Sequence, residues 1–328
     1  MVHFGIEFLA NETADTLAEM IQFSEENGIE YAWITDHYNN RDSFSLLTYI
    51  AARTSTIKLG TGVTNPYTRT AAQLASAIAT VDETSGGRAV FGIGPGDKMT
   101  FENLGVHWTK PLQTVRETVE VVRRLTLGES VSFDGDVISI KKAKLDLGSR
   151  SVPVYVGAQG PGMLMLAGEI GDGALVNASH PRDFEFAVKL LKEGAAGRDF
   201  SQFDVGAYTS FSVAGNRDEA VAAARPVVAF ITAGSPPDVI KRHGIPEEDY
   251  SRLTSAFKDG FKQAVRAVTD DMISAFSICG TPDDCIRQIH DLTGAGVTQV
   301  IPGSPLGPDK KKSIQLIGKE IIPEFKEE

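Results

Sequence analysis

Short apolar runs alternate with amphipathic stretches along the chain. Strand-like runs begin near His3 (HFGIEF), Tyr31 (YAWIT), Ile57 (IKLGTGVT), Arg88 (RAVFGIG), Val152 (VPVYVG), Gly173 (GALVNA), Asp204 (DVGAYTSFSVA) and Val297 (VTQVIP). Between them the apolar positions take the helical period. In Thr13–Asn27, Leu17, Met20, Ile21 and Ser24 share one face, and Asn27-Gly28 supplies the stop that a helix C-terminus favours. The same reading predicts helices over Ser43–Arg53, Thr70–Ser85, Leu112–Leu127, Gly162–Ile170, Pro181–Gly194, Arg217–Phe230 and Thr281–Thr293.

Eight strands interleaved with helices imply an α/β chain with a parallel sheet. Most strand starts are one βα unit apart, but two gaps, of 64 and 93 residues, are longer. They require insertions, expected near 129–150 and 231–278 of one domain spanning 1–328. In the first, Asp134-Gly135 lies between alternating apolar residues, which is a hairpin signal. A closed (β/α)8 TIM barrel accounts for the count. An open doubly wound sheet would place a glycine-rich phosphate turn after its first strand, and Leu9-Ala10-Asn11-Glu12 is not one.

Composition narrows the class further. The 328 residues are 42% hydrophobic and 23% charged, ordinary globular usage that excludes a disordered chain. The net charge of −11 argues against a nucleic-acid partner. No apolar run approaches the ~20 residues of a membrane span. The opening MVHFGIEFLANE has no basic segment and carries Glu7 in its apolar stretch, so no secretory signal is expected. Two cysteines, Cys279 and Cys285, make neither a disulfide framework nor a metal set, which fits a reducing cytoplasm.

In such a barrel the chemistry sits where strands end. Alternation along the first strand turns Phe4, Ile6 and Phe8 toward the helices and His3, Gly5 and Glu7 toward the axis. Glu7 is then an inward carboxylate, either paired structurally or held with a raised pKa. Thr35-Asp36-His37-Tyr38 ends the second strand, where Asp36 serves either a ligand edge or a cap. Gly60 and Gly62 mark either the close approach of a flat ligand or a plain barrel corner, and Gly92, Gly94 and Gly96 strip one face of the next strand, where a planar ring would fill the space. Asp97 follows as a second carboxylate near the mouth. The Gly157-Ala158-Gln159-Gly160-Pro161-Gly162 turn opens a helix and suits a phosphate, or is a tight βα turn. Asn177 and His180 precede another helix, with His180 also a plausible cap. Trp33 and Trp108 are expected to pack, and Lys310-Lys311-Lys312 to be solvated.

Taken in order, ITDHY, GTGVTNPYTR, FGIGPGD and VPVYVGAQGPGMLMLAGEIGDGALVN resemble the bacterial-luciferase-like barrel family. More narrowly, with FGIEFL and IIPEF at the two ends, the chain resembles the coenzyme F420-dependent 5,10-methylenetetrahydromethanopterin reductases of methanogenic archaea. The resemblance implies a (β/α)8 barrel with coenzyme F420 at its C-terminal face and a cis peptide at Gly62–Val63. It implies that Gly62, Val63, Thr64, Asn65, Gly94 and Gly96 line the deazaflavin ring and that Asp36 touches it. Gly157, Ala158, Gln159, Gly160, Asn177 and His180 would hold its phosphate and tail. Glu7 would protonate the departing pterin nitrogen as hydride reaches the methylene carbon of methylenetetrahydromethanopterin. Asp97 would raise the pKa of Glu7 by like charge or steer the pterin. A homo-oligomer, dimer or tetramer, is implied as well.

Overall fold

The computed structural model describes residues 2–326. The chain opens with β1 (His3–Phe8), α1 (Ala14–Glu26), β2 (Tyr31–Ile34), α2 (Ser43–Ala51), β3 (Lys58–Thr61), α3 (Ala71–Ser85) and β4 (Ala89–Ile93). Next come α4 (Lys98–Asn103), α5 (Pro111–Thr126), the hairpin β5 (Val131–Asp134) and β6 (Ser139–Ala143), then β7 (Val154–Gly157), α6 (Pro161–Ile170), β8 (Gly173–Val176) and α7 (Pro181–Gly194). After β9 (Asp204–Val213) lie α8 (Arg217–Gly234), α9 (Pro237–His243), α10 (Glu247–Ala256), α11 (Phe261–Ala267) and α12 (Asp270–Phe276). The chain then forms β10 (Ile278–Gly280), α13 (Pro282–Gly294), β11 (Gln299–Leu306) and α14 (Lys310–Leu316).

Parallel pairing runs β9-β11-β1-β2-β3-β4-β7-β8, and β8 pairs back to β9, so eight strands close a barrel. These are the eight predicted strands. The short β10 adds itself to β9 outside that count. Side-chain hydroxyls and carboxylates start the helices by accepting otherwise unpaired N–H groups: Thr13 for α1, Asp42 for α2, Thr70 for α3 and Thr281 for α13. Thr70 with Gln73, and Thr281 with Asp284, form full capping boxes.

The alternation of β1 holds as read. Phe4, Ile6 and Phe8 are buried in the layer between barrel and helices, and Phe4 packs on Phe325 with ring centroids 5.7 Å apart. Each such side chain contributes about 1.5–3 kcal/mol by leaving water. A separate apolar layer fills the barrel itself: Tyr31, Trp33, Val90, Tyr155, Leu175 and Ile301, with Val63 and Tyr208 against it.

The chain between β4 and β7 holds the hairpin β5–β6, and the chain between β9 and β11 holds the helices α8–α13 and β10. The hairpin β5–β6 turns after Asp134, and Gly135 N donates to Ile138 O. Helices α9–α12 pack with α8 around their own apolar cluster, which includes Ala224, Val228, Leu253, Met272 and Phe276. Helix α8 continues through Pro226 to Gly234, four residues beyond the predicted end. Proline removes one backbone donor from a helix, and here the burial of Ala224, Val228 and Ala229 offsets that cost. Among the described residues no helix is long and apolar enough to cross a membrane.

Candidate active site

Glu7 lies near the C-terminal end of β1, with its carboxylate over Gly303 of β11, where any side chain would collide with it. Its surroundings are Phe8, Leu9, Ser304, Pro305 and Leu306, and the narrow opening beside it carries Asn11, Glu12 and Lys310. Part of Glu7 reaches solvent, yet protein encloses the carboxyl closely. Burial pushes its pKa up to about 7, against the Ser304 backbone and the Tyr208 hydroxyl nearby, which favour the ionised form. A carboxyl poised near neutrality is suited to holding and releasing a proton.

Asp97 does not share this environment. It caps α4, accepting from Thr100 N at 2.8 Å, and its pKa is lowered chiefly by its hydrogen bonds to Thr100. The groups shifting Glu7 do not include Asp97, so the like-charge role expected of it is corrected: burial does that work. What Asp97 shares is a cavity of about 410 Å³ with Asp36, His37, Val63, Asn65, Arg69 and Gly96.

That cavity has an organised wall. Asp36 accepts from Thr64 Oγ1 at 2.6 Å and from Arg69 Nη1 at 2.8 Å, and Arg69 also pairs with Asp42. Asn65 Oδ1 accepts from the backbone of Tyr67 and Thr68, both at 3.0 Å, which turns the chain out of the barrel. The Gly62–Val63 peptide is cis, in agreement with the resemblance. Arg69 was not foreseen; its position one residue before the α3 cap gave no signal of an ion pair reaching Asp36.

The stripped glycine face is not an empty floor. The indole of Trp33 occupies the space beside Gly60, where a Cβ would lie 2.6 Å from it, and beside Gly92. The Tyr208 hydroxyl takes the corresponding place at Gly62, and Val63 sits between Gly94 and Gly157. Gly96, at φ +67°, adopts a left-handed conformation that favours glycine, under Phe101. The expectation of a ring over these glycines is therefore corrected. Period-2 alternation reveals which side is stripped, but not that an aromatic side chain from the neighbouring strand already fills it.

Of the second predicted cluster, Gln159, Gly160 and Asn177 line a cavity of about 580 Å³ with Ser179, Phe230 and Arg242, whereas Gly157 packs against Val63 and His180 lines a separate cavity with Arg217 and Arg225. Ala158 is buried. Gly160 is the N-cap of α6 without a side-chain hydrogen bond, and open space faces its Cα. Pro161 at the first position of α6 has no N–H and Met163 N already donates to Gly160 O, so the Gly162 N–H is the donor that this helix start offers an anionic group. His180 is the N-cap of α7: its Nδ1 accepts from Arg182 N at 3.2 Å, which puts the ring proton on Nε2. Burial lowers its pKa, aided by His243, so it stays neutral. Capping was the alternative reading of His180, and the geometry has it.

Tyr208 and a polar set at the other end of the barrel escaped the sequence reading. Asp204 accepts from Tyr155 Oη at 2.7 Å and Gln299 Nε2 at 3.1 Å, and Gln299 in turn accepts from Trp33 Nε1 at 3.2 Å. These residues are separated by up to 266 positions, and only barrel closure joins them. Both cysteines are buried and unbridged, and burial pushes the Cys279 thiol up to about 11, so it is inert as a nucleophile. Among the described residues no cluster of metal-ligating side chains is present.

Comparison with known proteins bears on what this site does. The sequence pattern of the luciferase-like monooxygenase family matches residues 2–299. The chain is 54% identical to the 5,10-methylenetetrahydromethanopterin reductase of Archaeoglobus fulgidus, over 98% of this chain and 99% of that protein. It is 51% identical to the enzyme of the same name from Methanolobus tindarius, over 97% and 99%. Its backbone superposes with a TM-score of 0.94 on the coenzyme F420-dependent tetrahydromethanopterin reductase of Methanopyrus kandleri, at 47% identity and 99% coverage of both chains.

Proposed function

Because the chain belongs to the luciferase-like monooxygenase family, we infer its reaction from the members it matches from end to end. It is a coenzyme F420-dependent oxidoreductase that reduces 5,10-methylenetetrahydromethanopterin to 5-methyltetrahydromethanopterin, a step of methanogenesis and related one-carbon metabolism. The near-complete alignment with reductases of this one activity carries the reading.

The residues present fit the cofactor. The Gly162 N–H at the start of α6, near Gln159 and Asn177, offers a donor for a phosphate, and the wall of Asp36, Val63 and Asn65 borders a cavity of ring size. When bound, reduced F420 supplies a hydride. In this reading Gly62, Val63, Thr64, Asn65, Gly94 and Gly96 shape the ring site, and Gly157, Ala158, Gln159, Gly160, Asn177 and His180 hold the tail. Glu7 holds a proton on its carboxyl and passes it to the pterin nitrogen as the imidazolidine ring opens. That transfer lets the methylene carbon become an electrophilic iminium. Asp97 orients the pterin from the cavity wall rather than tuning Glu7.

The reading treats 1–328 as a single barrel unit with two insertions, working in the cytoplasm as a dimer or tetramer; light scattering of the purified protein checks the assembly. The deciding experiment is an anaerobic assay that follows oxidation of reduced F420 on addition of methylenetetrahydromethanopterin. Turnover is expected with F420 and not with NADPH or reduced flavin mononucleotide. Comparable rates with NADPH would overturn the cofactor assignment.

A further inference from the structure

The 580 Å³ cavity is walled from two parts of the chain. Gln159, Gly160 and Asn177 come from the barrel loops, and Phe230, Val239 and Arg242 from α8 and α9. Its shape therefore depends on how α9 is seated against the barrel.

One carboxylate fastens that seat. Asp183 lies in the first turn of α7, where a negative charge suits the helix dipole. One of its oxygens accepts from Arg242 Nη1 at 2.7 Å, and the other from His243 Nε2 at 2.9 Å. The His243 side chain is 1% exposed, and its ring stands edge-on to His180 at 5.0 Å and to Phe276 at 5.3 Å between centroids. The Arg242 guanidinium lies over the Phe186 ring at 4.5 Å. Asp183 borders the cavity as well, but both its oxygens are engaged by α9. Asp238 also pairs with Arg242, at 3.8 Å, yet it is exposed and belongs to α9 itself, so it ties nothing to the barrel.

Burying charge is a costly way to join two helices, because packed apolar side chains of similar volume hold as well without desolvating anything. What a carboxylate with two directed donors adds is orientation. It fixes where α9 places Val239 and Arg242, and it engages one of the five Arg242 donors, so that others remain for an anionic ligand. We propose that Asp183 is a positioning residue for coenzyme F420: by holding Arg242 and His243 it keeps the α9 wall of the cavity where the phosphate-bearing tail requires it. This rests on the reading of the cavity as the tail site. Two further bonds, from Arg182 Nη1 to Arg242 O and from Ser179 Oγ to Phe276 O, both at 3.2 Å, keep the insertion attached without Asp183. Loss of Asp183 therefore loosens the wall and leaves the barrel folded.

The test titrates the full chain, by fluorescence, with coenzyme F420 and with the same deazaflavin core lacking phosphate and tail. The wild type is expected to bind F420 the more tightly. In Asp183→Ala, a wall seated about one tenth of the time raises the Kd for F420 about tenfold, while the Kd for the core stays the same. In turnover the loss falls on the KM for reduced F420 and not on kcat at saturation. Hydrogen exchange quickens at Ile240–His243 while the barrel strands keep their protection. Asp183→Asn, equal in size and still able to accept from Arg242, should show a smaller loss in the same direction, and it decides the matter if Asp183→Ala does not fold. Equal weakening of both ligands, or an unchanged Kd for F420 beside faster exchange in α9, overturns the proposal and leaves Asp183 a purely structural residue. A wild type that binds the bare core as tightly as F420 overturns the placement of the tail, and the proposal with it.

Discussion

Glu7→Gln separates proton donation from every other service Glu7 performs. The amide is the same size, so it fits over Gly303 without a new contact. Its amide can accept from or donate to the polar groups beside it, the Ser304 backbone and the Tyr208 hydroxyl. What disappears is the transferable proton. General acid catalysis contributes about 10²–10⁴-fold, so kcat should fall by at least about 10²-fold, or roughly 2.7 kcal/mol in barrier. Binding of F420 should change little, because the acid serves the pterin. The pH dependence gives a second handle. Glu7 is raised to about 7, so the proton-bearing form is lost above neutrality and wild-type kcat/KM should decline there. The variant should lack that decline. Stability must move in the matching direction. A carboxyl whose folded pKa exceeds its unfolded value of 4.5 stabilises the fold fully below 4.5, and that contribution is lost as pH rises to about 7. The difference amounts to about 3 kcal/mol at most, since Glu7 retains some solvent. Glu7→Gln should therefore match wild type in acid and exceed it above pH 7 in urea titrations. Turnover within tenfold of wild type, or an unaltered alkaline decline in the variant, would refute the assignment.

Asp97→Asn should reduce kcat less than Glu7→Gln does, and should leave stability within about 0.5 kcal/mol because asparagine caps helices as well as aspartate; steady-state kinetics showing the larger loss at Asp97 would move the acid there. Gly92→Ala drives a methyl into the Thr61 carbonyl and against Trp33, and should lower stability by about 1–3 kcal/mol or more, read as a fall in Tm. Arg69→Met leaves the buried Asp36 carboxylate without its cation. It should cost about 2 kcal/mol or more and weaken F420 binding measured by fluorescence titration.

The chain by itself determined the barrel. Period-2 runs and period-3.6 stretches are local signals, and each of the eight barrel strands stands where those signals put it. The inward direction of Glu7 followed from alternation, and the helices that begin near Thr70 and Thr281 from the helical period of their apolar positions. Tertiary structure decided what each inward side chain meets. That Trp33 fills the space at Gly60 and Gly92, that Tyr208 of β9 reaches β3, and that Asp97 faces Asp36 rather than acting on Glu7 depend on strand order and on the diameter of the closed barrel. Alternation says only that a side chain points inward. Partners inside the barrel lie 146 residues apart, as Tyr208 and Gly62 do, or 266, as Trp33 and Gln299 do, and no local pattern encodes their meeting. The proton affinity of Glu7 is likewise a property of the assembled wall: burial sets it, and burial exists only once the barrel has closed.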